Sequence, residues 1–190
     1  MAFWTTATEP KRNYRFKVIL GNFDDGAIWY AKSAGKPGFT VESGTHKYLG
    51  HTFNFPGSVT WGDVQVVLVD PVEPDAADRL FEIVQAAGYV IPQRPNNGAG
   101  PEFYETMGKD KMNAALGTVQ IQQLDSSGNA LETYTLHNPM IASVAFTELS
   151  YDEEGLSNIT LGFKYDWAEV STGSGVGAKT YFTDATSTPS

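Results

Sequence analysis

Three histidines and two runs of carboxylates are the residues best suited by type to chemistry in this 190-residue chain. His46 and His51 stand five apart, which fits neither the i, i+4 spacing of a helical metal pair nor the even spacing of one strand face. They read as surface histidines on the arm; His137 is the third histidine. Asp24-Asp25 and Asp152-Glu153-Glu154 each fall in a turn-like stretch, where solvated acids are common. A glycosidase pair would need two carboxylates held across a cleft, and these runs do not supply that pattern. Gly173, Gly175 and Gly177 lie in STGSGVGAK, but the spacing is not that of a phosphate-binding loop and no helix follows. With no cysteine in the chain, a thiol nucleophile, a zinc-thiolate site and a disulfide framework are all excluded. No nucleophile–base pattern is present, so the sequence predicts no enzyme, no cofactor and no metal.

The elements that position these residues are mostly strands. Tyr14 to Leu20 alternates, with Tyr14, Phe16, Val18 and Leu20 on one face. Gly21 to Gly26 is a turn, and Ala27 to Lys32 a second strand before the Gly- and Pro-containing break at Ser33 to Gly38. Phe39 to Pro56 reads as a long hairpin or extended arm, packing either on its own domain or on a neighbouring subunit. Thr60 to Asp70 is a buried strand. Pro74, Asp75 and Asp78 suit a helix start, Ala77, Leu80, Phe81 and Val84 form its apolar stripe, and Gly88 its stop. The Pro-, Gly- and Asn-rich residues 91–110 read as a loop, with a helical turn at Asp110 to Leu116. Thr118 to Leu124 and Leu131 to Leu136 flank a hairpin turn at Asp125 to Asn129. Met140 to Leu149 and Ser157 to Val170 complete the set. In the last, Ile159, Leu161, Phe163, Tyr165 and Trp167 share a face. The expected organisation is a single domain over 1–170, with an arm at 33–58, an inserted loop at 91–110 and a flexible tail at 171–190.

The charge is uneven. Residues 1–60 hold seven basic and four acidic residues, net +3, whereas the other 130 hold six basic and 18 acidic, net −12. Either solvated loops account for this, or the molecule has a basic and an acidic end suited to head-to-tail association; charge alone does not decide. The total of −9 argues against a nucleic-acid-gripping protein. The apolar runs are too short to span a membrane, and the first residues carry no signal-peptide pattern, so a soluble protein made in the cytoplasm is expected.

Three segments together resemble the tail tube proteins of contractile-tail bacteriophages. They are Arg12-Asn13-Tyr14-Arg15-Phe16-Lys17-Val18, then Lys47 to Val69 running into Asp78 to Val84, and Gly117 to Glu169 with its closing Tyr165-Asp166-Trp167. The resemblance spans most of residues 12–169, and the 91–109 loop and the tail depart from it. It implies a mainly β fold, a β-sandwich or barrel with one flanking helix, whose strands join a ring-spanning barrel. Closure of that barrel would remove exposed sheet edges. It further implies hexameric rings stacked into a tube that serves as a channel for DNA ejection, without sequence-specific binding to that DNA. Its expected partners are further copies of itself and the sheath, baseplate and tail terminator proteins, and its location is the virion. Lys36, Phe39, Val41, Lys47, Tyr48, Leu49, Phe53 and Phe55 are the expected inter-subunit contacts. Two alternatives stand beside this reading. One is the inner tube of a bacterial contractile injection device, of the pyocin or type VI kind. The other is a carbohydrate-binding β-sandwich using Trp61 and Trp167.

Overall fold

A computed structural model of the chain describes residues 10–22, 27–28, 30–73, 75–91, 106–152, 154–173 and 178–183. The Asp24-Asp25 turn, Pro74, most of the expected 91–110 loop, Glu153, the glycines at 175 and 177 and the last residues of the tail lie outside these. Among the described residues the fold is mainly β with two helices. A six-stranded sheet has the order β12-β11-β8-β7-β1-β2, and a four-stranded sheet the order β3-β6-β10-β9. The first comprises β1 (Phe16–Leu20), β2 (Ala27–Ile28), β7 (Val119–Leu124), β8 (Ala130–His137), β11 (Trp167–Thr172) and β12 (Lys179–Tyr181). The second comprises β3 (Ala31–Ala34), β6 (Val64–Val69), β9 (Met140–Phe146) and β10 (Asn158–Lys164).

Alternation builds the core. Val18 and Leu20 of β1, Val119 and Ile121 of β7, and Leu136 of β8 are buried from one sheet; Val64, Val66 and Leu68 of β6 and Ile159, Leu161 and Phe163 of β10 from the other. They join one cluster with residues of α1 (Ala76–Ala86) and α2 (Lys109–Leu116). In α1 the buried positions are Ala76, Leu80 and Ile83, so the apolar stripe is rotated from the expected one and Phe81 is exposed. The Asp75 carboxylate caps this helix, accepting from Ala77 N–H at 3.0 Å and Asp78 N–H at 3.1 Å. Gly88 ends it with φ 97°, a backbone state that suits glycine. The expected helical turn at 110–116 is a two-turn helix beginning inside the predicted loop, at Lys109. The Asn22 side chain donates to its last carbonyls, Ala114 and Ala115, at 2.8 and 2.7 Å.

Several expected strands divide differently. Tyr14 lies in a turn before β1 and is exposed. The expected Ala27–Lys32 strand is two short strands in different sheets. The expected Ser157–Val170 strand likewise divides at Tyr165-Asp166 into β10 and β11, one in each sheet. Unbroken alternation hides such a crossing, because a strand that changes sheets still keeps one face toward the shared core. Thr60 and Trp61 close the strand that precedes β6 and do not open β6 itself. The domain also runs past 170. β11 continues to Thr172 and β12 pairs with it antiparallel, Val170 opposite Tyr181, because a free sheet edge accepts even a Ser/Thr-rich segment with β propensity.

A projecting ribbon and two exposed apolar surfaces

Residues 39–61 form a ribbon of β4 (Phe39–Tyr48) and β5 (His51–Trp61) paired only with each other. Leu49 and Gly50 connect them with φ of 47° and 81°. Two central residues at positive φ give the primed turn that matches the twist of a tight hairpin. Leucine in that position is unusual and is 81% exposed, placing an apolar side chain at the ribbon tip. Phe39, Val41, Tyr48, Phe53, Phe55 and Val59 are all exposed along the ribbon. The predicted contact residues, apart from Lys36, are thus gathered on one projecting element. The ribbon extends beyond the expected 58 to Trp61. His46 faces Phe53 across the ladder and His51 faces Tyr48, so the two histidines are not paired, and no group of three or more His, Asp or Glu with metal-binding placement occurs among the described residues.

The ribbon is anchored by aromatic packing at its root. Phe39 and Trp61 lie edge to face at 5.2 Å, Phe182 sits 5.8 Å from Phe39 and 5.6 Å from Trp61, and Tyr165 is 6.0 Å from Trp61. Burial and then the charge of Asp63 push the Tyr165 hydroxyl up to about 12. Phe182, from the segment expected to be a free tail, is therefore part of the anchor. Trp61 is packed here, and Trp167 stacks on His137 at 4.6 Å with nearly parallel rings, so both tryptophans have intramolecular ring partners.

Lys36, three residues before the ribbon, pairs within its own subunit. Its Nζ reaches Glu132 Oε2 at 2.9 Å and lies 5.4 Å over the Tyr134 ring, and it also bonds Gln123. Lys11 pairs with the same carboxylate, Tyr134 donates to it at 3.0 Å, and Gln123 donates to the Arg12 carbonyl at 3.2 Å. Burial raises the Glu132 carboxyl, but the two ammonium groups and the hydroxyl outweigh it and hold it at about 2. Tyr134 is pushed up to about 12 by burial and by that carboxylate. Lys36, an expected inter-subunit contact, is thus part of a clamp within the subunit that ties the chain before β1 and the chain before β4 to β8.

Two further apolar surfaces lie on the body. Phe81, Val84, Tyr89, Ile91, Val144 and Phe146 line a groove of about 710 Å³ beside α1. The loop between β9 and β10 exposes Leu149, Tyr151 and Leu156 around a second groove of about 540 Å³. This loop is pinned at its base, where Thr147 and Asn158 exchange three hydrogen bonds of 3.0–3.1 Å.

The two sheets with their self-paired ribbon are a fold shared with chains of solved contractile injection systems, and this agrees with the mainly β fold that the resemblance implied. A chain of the PVC extracellular contractile injection system, from its sheath–tube complex in the extended state, matches with a TM-score of 0.62 at 14% identity, covering 87% of this chain and 94% of that one. A chain of the anti-feeding prophage tube-terminating cap matches at 0.61 and 14% identity, with 91% and 100% covered. One from the six-fold symmetrised anti-feeding prophage baseplate matches at 0.59 and 13%, with 86% and 96% covered. No protein-family model and no curated protein matches the chain in sequence.

Proposed function

We propose that this chain is the structural inner-tube subunit of a contractile injection device, joining as hexameric rings that stack into a tube within a sheath, between a baseplate and a terminator. The observation that carries the reading is the fold likeness, which takes in nearly the whole of each neighbour and most of this chain. The surface supports it. β9 and β12 end their sheets, with no further strand beyond them among the described residues, and neighbouring copies would extend and close them. The ribbon exposes apolar side chains that a lone subunit leaves in water. No described helix is long and apolar enough to cross a membrane.

The segments that resemble phage tail tube proteins favour a second reading with the same assembly. In it the tube belongs to a virion tail and conducts DNA at ejection. A capsid or terminase gene beside this one would select that reading; effector and sheath genes without a capsid would select the injection device. The assembly itself is tested by electron microscopy of concentrated protein. Six-fold rings or tubes are expected. A monodisperse monomer at every concentration and salt, also when offered a pre-formed baseplate, would overturn it.

A further inference from the structure

We infer that the loop between β9 and β10, residues 147–157, is the receptor for the ribbon tip of a second copy of this chain. The inference rests on the tube reading and assigns the acceptor surface within it. Strand register places the two features at opposite ends of one sheet. The ribbon runs into β6 at Val64, whose partner is Phe163; the loop runs into β10 at Asn158, whose partner is Val69 at the far end of β6. A knob at one end and an acceptor at the other make a head-to-tail contact, the kind that propagates and does not close on a pair.

The two surfaces are complementary in charge and in apolar character. From Ser43 to Gly62 the chain has no carboxylate, and near the tip it carries Lys47 with His46 and His51. From Thr147 to Ser157 it has four carboxylates, Glu148, Asp152, Glu153 and Glu154, and no basic residue. Tyr48 and Leu49 stand exposed at the tip. Leu149 at 88% exposure, Tyr151 and Leu156 stand exposed around the groove of about 540 Å³. One cation borders that groove, Lys32, and it is turned toward Asn158 Oδ1 at 3.5 Å. Apolar contact at the centre with opposite charge around it is the arrangement of a specific docking site.

The absence of native cysteine makes the test direct. Leu49→Cys and Tyr151→Cys are prepared separately, both at exposed positions, with Ser126→Cys as a control on the exposed β7–β8 turn. Equal mixtures are oxidised at assembling concentration, and mixed disulfides are read by mass spectrometry. Held proximity raises the effective thiol concentration, so the 49–151 product should exceed the 49–126 product by about ten-fold or more. Charge reversal gives a second readout: Lys47→Glu and Asp152→Lys should each slow assembly, and the two variants mixed in alternation should recover part of the rate. Rings or tubes that form with 49–151 cross-linking no higher than the control would overturn the docking site and leave the tube reading intact. No assembly of any kind, with no cross-link, would overturn both.

Discussion

At the residue scale, Glu132 joins distant parts of the chain through its charge. It gathers Lys11, Lys36 and Tyr134 from three parts of the chain. Its carboxyl is held at about 2, below its ordinary 4.5. A depressed carboxylate contributes stability that is fully present above about pH 4.5 and is lost as the pH falls toward 2. Because both lysines are half-exposed, screening reduces the contribution to about 1–3 kcal/mol. Glu132→Gln should therefore lower the melting temperature at pH 7 by about 3–10 °C, and the gap to the native protein should narrow between pH 4.5 and 2. A gap that is constant across this range in thermal melts would show that the charge contributes nothing. Lys36→Glu should destabilise the lone subunit by the same route. Lys47→Glu, on the exposed ribbon, should leave its melting temperature unchanged and act only on assembly. Nothing in the sequence distinguishes these two lysines. One lies just before the ribbon and the other on it, and only the fold brings β8, almost a hundred residues away, beneath Lys36.

At the element scale, the ribbon and its anchor separate cleanly. Replacing residues 42–58 by a short turn keeps Phe39, Trp61 and Phe182 in place. The trimmed subunit should keep a cooperative thermal transition within a few degrees of the native one and fail to stack beyond single rings, as seen by microscopy. Loss of the transition would place the ribbon in the core. Phe182→Ala removes a ring from the anchor at a half-exposed site and should cost about 1 kcal/mol, or roughly 2–4 °C in a domain of this size. An unchanged melting curve would return residues 178–183 to the status of a dispensable tail. α1 was legible in sequence because it rests on local signals, a helical period between an Asp cap and Gly88; the ribbon was legible only as a long hairpin or arm, and its turn at Leu49-Gly50 was not. The change of sheet at Tyr165-Asp166 was not legible, since periodicity reports which side of a strand is buried and not which sheet it belongs to. β12 was missed for a different reason. Lys179-Thr180-Tyr181 has no apolar period, and it is a strand only because β11 offers it an edge.

At the scale of the whole molecule, charge and burial would divide the work of the proposed association. With a net charge of −9, subunits repel each other at long range, while the ribbon tip is locally free of acids. Salt should relieve the general repulsion and also weaken the tip's attraction to an acidic surface. Assembly of Lys47→Glu should then be slowed more at low than at high ionic strength, as followed by light scattering. Equal slowing at both would assign the effect of Lys47 to packing. The apolar part of the contact, from Tyr48, Leu49, Phe53 and Phe55, should keep its strength in salt, so tubes once formed should persist where their formation is slow.

The self-paired ribbon has a kinetic consequence. A two-stranded sheet alone in water is marginally stable, and among the described residues this one pairs with no other strand and packs its aromatic rings on the body at the root. Ordering it against a neighbour costs conformational entropy that a first encounter between two free subunits recovers poorly. In the proposed hexameric ring six acceptors would be presented at once and would spread that cost over all of them. Growth should consequently show a lag that vanishes when pre-formed tube ends are added, so that the number of tubes follows the number of seeds and the protein in excess stays as unassembled stock.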